Sequence, residues 1–290
     1  MTNQYETIQA APLSPALGAE ICGIDIARGV SEQQLADLRQ AYIDYGVIFL
    51  RDQDITPEQH IAFAERWGQI NINRFFRPTD DYPMIAEVRK EADQKANIGS
   101  RWHTDHSYDQ CPALGSILYA REVPSVGGDT LFASMYAAYQ GLSDGLKRML
   151  LSLRAEHSSR HSFGASAYTE AEIDDLGGRL GNAAAATQDA LHPVVIRHPL
   201  SGLPALYVNR EFTVKFEGWT AEESQPLLEY LYAQASQNEY TCRFHWRKGS
   251  IAIWDNRATH HCALNDYHGE RRLMHRITID GEDLHAFSAA

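Results

Sequence analysis

Three runs near the C-terminal end decide the fold class: Thr241–Trp246 (TCRFHW), Ser250–Trp254 (SIAIW) and Leu273–Ile279 (LMHRITI). Each is short, and each draws on β-branched and aromatic residues that suit a pleated, half-buried surface. The same texture recurs upstream in Met84–Val88, Gly115–Ala120, Thr130–Ala133, Val194–His198 and Ala205–Val208. Turn signals such as Gly127-Gly128-Asp129 and Ser201-Gly202 separate the runs. About eight short strands over this length predict a mainly β domain with flanking helices, a double-stranded β-helix or jelly roll.

The first quarter of the chain reads differently. A strand around Ala19–Ile26 leads to a helix beginning at Ser31, where Ser31 and Gln34 have capping-box spacing. Leu35, Leu38, Tyr42 and Ile43 give that helix an apolar stripe, and Val47–Leu50 follows as a buried strand. Thr56-Pro57-Glu58-Gln59 opens a second helix with proline in its first turn, and Gly68 closes it. Further helices are expected near Met135–Leu153 and Leu227–Ser236, with Pro226 in the first turn of the latter. The stretch from about 164 to 190 is rich in Gly, Ala and Asp without a clear period, and reads as a lid insertion over a site.

Composition sets the bounds. The 290 residues, 44% hydrophobic and 22% charged, suit one globular domain spanning 1–290. Asp and Glu outnumber Lys and Arg by 38 to 26, for a formal charge of −12, which argues against a nucleic-acid partner. No apolar run approaches a membrane span, and the start, Met1 to Glu6, lacks the features of a secretory leader. Cys22, Cys111, Cys242 and Cys262 form no C-x-x-C pair; they read as reduced thiols, and cytoplasmic location follows.

His103-Thr104-Asp105 is the first chemical candidate. Residues i and i+2 of a strand share a face, so the imidazole and the carboxylate can approach one ion. A distant histidine would complete the two-histidine, one-carboxylate triad of non-haem Fe(II) oxygenases. Alone the motif decides nothing, because His268-Gly269-Glu270 matches it too. Its company decides. Thr130 follows 25 residues after Asp105 in Gly127-Gly128-Asp129-Thr130. Then come Trp254-Asp255-Asn256-Arg257-Ala258-Thr259-His260-His261, and Arg272 and Arg276 in Arg271–Arg276.

With these motifs in this order, the sequence resembles the taurine and phenoxyalkanoate dioxygenases, from Leu17-Gly18-Ala19-Glu20 to the final strand. The resemblance implies Fe(II) held by His103, Asp105 and His261, with 2-oxoglutarate and O2 as cosubstrates. His261, not His260, fits the family's W-D-N-R-x-T-x-H-x-A pattern, and neighbours on a strand cannot both face one ion. Arg272, 11 residues after His261, falls where the family grips the distal carboxylate of 2-oxoglutarate, with Thr130 as its hydroxyl partner. A guanidinium offers a carboxylate two parallel donors.

Arg276 matches the family's contact to the anionic end of the substrate, and Phe163 and Phe212 match its aromatic pocket walls. Taurine enzymes have histidine, tyrosine and asparagine where this chain has Asn73, Phe76 and Gly99. The substrate expected is therefore a small anion other than taurine: an aryloxyalkanoate, alkyl sulfonate or alkyl sulfate. Ile98-Gly99-Ser100-Arg101 looks nearer to the aryloxyalkanoate branch, and Arg74–Arg77 could shape an aromatic, anion-binding mouth. Family members are commonly dimers or tetramers, so a homo-oligomer is expected. Two other classes compete. A non-catalytic metal-binding jelly roll or sensor would have no reason to keep Thr130 and Arg272 at cosubstrate spacing. A zinc hydrolase would need a general base, and no H-E-x-x-H motif is present.

Overall fold

The computed structural model describes residues 5–79 and 81–288; residues 1–4, part of the start read above, lie outside them. It is mainly β with flanking helices. The largest sheet runs in the order Gln9–Pro12, Ala19–Cys22, Val47–Leu50, Ile251–Asp255, Gly115–Glu122, Arg272–Ile279, Ile70–Asn71, and Ala86–Lys90 also pairs with Arg272–Ile279. Pairing is antiparallel except between Ala19–Cys22 and Val47–Leu50. A smaller sheet, Thr241–Phe244, Thr130–Ser134 and Thr259–Ala263, lies against one face of the large one. Its contact is aromatic: Phe49 stacks on Phe244 at 3.9 Å, and Phe132 packs against Trp254 at 5.8 Å.

Strand alternation sorts the large sheet into two cores. Val47, Phe49, Leu118, Ala120, Ala252, Trp254 and Met274 point between the sheets. Ile48, Leu50, Ile117, Tyr119, Ile251, Ile253 and Ile277 point the other way, onto two helices. Those helices are Glu32–Tyr45, with the Ser31/Gln34 capping box, and Pro57–Glu65, with a Thr56/Gln59 box and proline at its start. Fully apolar strands are what a sheet covered on both faces requires. Arg272 and Arg276 share the inter-sheet side with Met274, which sets the site's position.

Several boundaries depart from expectation. The second helix ends at Glu65, before Gly68. Met135–Leu153 is two helices, Met135–Gln140 and Asp144–Leu150, because Ser143 caps a second start. A side chain at Gly141 would also collide with Tyr240. Pro226 lies inside Ala221–Ala235 rather than in its first turn, since the Thr220/Glu223 capping box starts the helix earlier. The carbonyl that proline leaves without its helical donor is that of Glu222, in the solvent-exposed first turn.

The Gly- and Ala-rich stretch contains a capped helix, Glu170–Leu176, that its composition concealed. The stretch is tied down on two sides. Gly181 N–H donates to Phe75 O, and Arg77 N–H to Arg179 O, at 2.9 and 3.1 Å. Asp175 accepts the N–H groups of Lys95 and Ala96, each at 2.9 Å. The buried Arg179 guanidinium donates to the carbonyls of Leu176, Arg89 and Ala96 at 2.8–3.0 Å. Among the described residues, no helix is long and apolar enough to cross a membrane.

Candidate metal and anion site

His103 and His261 face each other across one antiparallel bridge, each N–H donating to the other's carbonyl at 3.1 and 2.8 Å. That pairing puts both rings on one side, with centroids 4.1 Å apart. Ladder pairing stops there: Asp105 opens a turn instead of continuing a strand. It still lies on the side of the rings, with Oδ1 3.9 Å from His103 Nε2 and Oδ2 4.0 Å from His261 Nε2. Donor atoms of all three lie within 4.8 Å of one another, and all three residues are buried. His103 Nδ1–H donates to Arg101 O at 2.7 Å, which fixes the tautomer and leaves Nε2 free for an ion. His260 sits on the opposite face of its strand, as alternation requires, and burial there lowers its pKa to about 3.

Burial and charge in the site favour an ionised Asp105 beside a neutral His261 ring. Burial alone would raise the Asp105 carboxyl, but Arg276, His261 and His103 outweigh it and hold it well below its usual range. Burial first, then charge on His103, lowers His261 well below the ordinary imidazole value. Neutral imidazole and ionised carboxylate are the forms that bind a metal. Asp105 also accepts from Ser116 Oγ at 2.9 Å and from Arg276 Nη1 at 3.1 Å.

Arg272 is the clearest sign of an absent anion. It is 4% exposed, and among the described residues neither Nε nor Nη2 has a hydrogen-bond partner. Burial lowers its pKa, with only weak opposition from Tyr267 and Asp129. Its guanidinium lies 5.8 Å over the Trp246 ring, while Trp246 Nε1–H donates to Thr130 Oγ1 at 2.9 Å. A buried charge with vacant donors is costly unless a partner arrives, and a carboxylate matches the fork.

These groups open onto a cavity of about 250 Å³, which His103, Asp105, His261, Thr130, Arg272 and Arg276 all line. Asn73, Phe76, Phe163 and Phe212 line it too, so every candidate residue reaches one space. Arg276 lies 4.4 Å over the Phe76 ring. Phe163 stacks on Phe75 at 4.3 Å, and Tyr108 meets Phe212 edge-on at 4.9 Å. Asn73 is largely occupied by its own loop: Oδ1 accepts from Phe75 N and Phe76 N, and Nδ2 lies 3.2 Å from His106 Nε2. Arg74 pairs with Asp109, and Phe75 is buried, so that tetrapeptide builds the wall more than the mouth. Gly99 has φ of +85°, and a Cβ there would press on His103 Cε1 at 3.3 Å.

Sequence reasoning missed Ser116, Trp246, Tyr108, His106 and Asn256. Asn256 Oδ1 accepts from Asp105 N–H at 3.3 Å and Trp254 Nε1–H at 2.9 Å, tying the Asp105 turn to its neighbouring strand. Ser116 had a faint signal, a hydroxyl on the apolar face of a buried strand. Trp246 had none, because its partner Thr130 lies 116 residues away.

Paired histidines, one carboxylate and a vacant arginine on a two-sheet scaffold define a metal-dependent, carboxylate-binding class. The model of the taurine catabolism dioxygenase TauD, TfdA family matches residues 9–278, and the chain belongs to that family. It is 32% identical over 283 residues to an alkylsulfatase of Acinetobacter baylyi, covering 97% of this chain and 87% of that one. An (S)-phenoxypropionate/alpha-ketoglutarate-dioxygenase of Sphingobium herbicidovorans is 31% identical, with 94% of each chain covered. The solved structure of a taurine dioxygenase from Burkholderia xenovorans aligns at a TM-score of 0.81 and 32% identity, covering 97% of this chain and 93% of that one.

Proposed function

We propose that this chain is an Fe(II)- and 2-oxoglutarate-dependent dioxygenase that hydroxylates a small anionic molecule: an aryloxyalkanoate, alkyl sulfonate or alkyl sulfate. The observation that carries the reading is the pairing of the triad with Arg272, whose buried donors are vacant. A metal-storage or sensing protein has no use for a buried, unpaired guanidinium beside its ion. His103, Asp105 and His261 hold the iron, and the vacant donors of Arg272 with the Thr130 hydroxyl hold the distal carboxylate of 2-oxoglutarate. The two facing sheets read as a double-stranded β-helix.

Bound iron, 2-oxoglutarate and O2 supply the oxidation, coupling decarboxylation to succinate and CO2 with hydroxylation of a substrate C–H bond. The protein's own part is placement and exclusion of water. Arg276 turns one edge to Asp105, while its Nε is unpartnered and buried, available to a substrate anion. Phe76 backs that guanidinium, and Phe163, Phe212 and Tyr108 offer ring faces to the substrate body. The 164–190 segment, pinned by Asp175 and Arg179, is a lid over the cavity; Ala167, Tyr168, Glu172 and Leu176 line the cavity from it. The reading carries with it a homo-oligomer, dimer or tetramer, as in its family, and a cytoplasmic location, which the four free cysteines support.

The test is succinate release by the iron-loaded protein across sulfonates, alkyl sulfates and aryloxyalkanoates. Turnover of an aryloxyalkanoate or a longer alkyl sulfate or sulfonate should exceed that of taurine at least about tenfold in kcat/KM, or roughly 1.4 kcal/mol. Efficient taurine oxidation, or a preferred substrate without negative charge, would overturn this view of the pocket.

A further inference from the structure

We propose that Ser116 is a positioning residue for the metal: its hydroxyl fixes the Asp105 carboxylate in the orientation that receives the ion, and so sets metal affinity. The inference rests on the reading of Asp105 as a ligand. Ser116 lies on Gly115–Glu122, whose inter-sheet face continues with Leu118 and Ala120 in the apolar core. A hydroxyl is out of place in that row, and it is fully buried. The strand is paired on both sides, with Ser116 opposite Trp254 and Thr278, so the ladder does not call on the side chain. Its bond goes to Asp105 Oδ2 at 2.9 Å.

The other carboxylate oxygen is held as well, by Arg276 Nη1 at 3.1 Å. Each oxygen of an ionised carboxylate has two lone pairs, so one hydrogen bond apiece leaves capacity toward His103 and His261. Opposed bonds on the two oxygens stop the group from turning about its Cβ–Cγ bond. Without Ser116, Arg276 alone would steer the carboxylate, and it would draw the oxygens toward the substrate side. Outer partners of ligating groups typically change metal affinity 10–100-fold when removed.

The test compares Mn(II) binding, followed by electron paramagnetic resonance, and the Co(II) visible spectrum in wild type, Ser116→Ala, Ser116→Cys and Asp105→Ala. Ser250→Ala serves as an equally buried serine control. Ser116→Ala should weaken Mn(II) binding roughly 10–100-fold and alter the Co(II) spectrum. Ser116→Cys, a weaker donor of similar shape, should fall between, and it decides by the same criterion if the alanine variant does not fold. Affinity within about threefold of wild type with an unchanged spectrum overturns the proposal, as does an equal loss in Ser250→Ala. If Asp105→Ala binds Mn(II) at full strength, the ligand reading fails and takes the proposal with it. If Asp105→Ala loses the ion while Ser116→Ala keeps it, only the role of Ser116 fails.

Discussion

Replacing Arg272 with methionine should produce two effects of opposite sign. In the ligand-free protein, Arg272 is a buried cation with Nε and Nη2 unsatisfied. Leaving buried polar donors unmade costs on the order of 1–3 kcal/mol, and more where charge is involved. Methionine fills similar volume without that penalty, so the metal-free variant should gain roughly that amount. For a chain of this size a gain of 1–3 kcal/mol means a Tm rise of several degrees. Once 2-oxoglutarate enters, the sign reverses, because its distal carboxylate would be buried without its cationic partner, with only the Thr130 hydroxyl left to it. Breaking a buried charge pair by removing one member costs roughly 3–5 kcal/mol. That is about two to three and a half decades in Kd.

The assay is an anaerobic titration of the Fe(II)-loaded protein with 2-oxoglutarate, read by the visible charge-transfer band and by calorimetry, beside thermal melts of the metal-free chain. Arg272→Lys restores charge without the planar fork, so its Kd should lie between wild type and methionine. The reasoning is refuted if the methionine variant binds 2-oxoglutarate within about threefold of wild type. It is equally refuted if that variant loses stability in the absence of ligand, since Arg272 would then be a structural strut.

Two further outcomes follow from the site and the core. His261→Ala should abolish stoichiometric Fe(II) binding and the charge-transfer band, whereas His260→Ala, on the far face of the same strand, should retain both; the reverse pattern would exchange the ligand assignment. His60 is a buried residue of helix Pro57–Glu65 that faces Tyr119 of the large sheet; burial first, then charge on His275, lowers its pKa to about 3 from an ordinary 6.5. The unfolded chain therefore takes the proton first, and stability falls as pH drops from about 6.5 toward 3. Between pH 8 and pH 5 this one group should remove about 2 kcal/mol, so His60→Leu should flatten the urea-unfolding pH profile by that amount, and an unchanged slope would refute it.

How far the sequence could be read depended on whether a signal was local. Glu32–Tyr45 was legible because its cap and stripe lie within a few residues of one another. The large sheet's central strands were legible as apolar runs, since both of their faces are covered, whereas the short outer strands Gln9–Pro12 and Ile70–Asn71 carry no such run. The three residues of the candidate triad were legible as a set because His103 and Asp105 share a motif and His261 lies within another. Other features needed the fold. Glu170–Leu176 was hidden by a Gly- and Ala-rich neighbourhood, although Thr169 and Glu172 carry capping-box spacing. Asn73 reads as a pocket residue, but most of its amide serves the loop. The vacancy of Arg272 is a property of what surrounds it and has no counterpart in sequence.

A chain with a formal charge of −12 is an unpromising receptor for an anion. Yet surface charge is screened over roughly 8 Å at physiological ionic strength, while buried charge is screened far less. The balance that matters is therefore the one inside the cavity. Of the charged side chains lining it, Arg101 and Glu172 are exposed and Glu211 half-buried; the buried ones are the ionised Asp105, with one negative charge, and Arg272 and Arg276, with two positive ones. The two charges of Fe(II) and the two of 2-oxoglutarate cancel each other. One positive charge remains in a buried space, on the side where Arg276 has an unpartnered Nε. A monoanion closes that balance, a neutral molecule leaves it open, and a dianion overshoots it. Sulfonates, sulfate monoesters and carboxylates each bring a single negative charge at neutral pH, so charge admits all three and does not rank them. On the proposed function the ranking would fall to the apolar wall that Phe76, Phe163, Phe212 and Tyr108 build along the cavity. Charge selects the class, and aromatic shape selects within it.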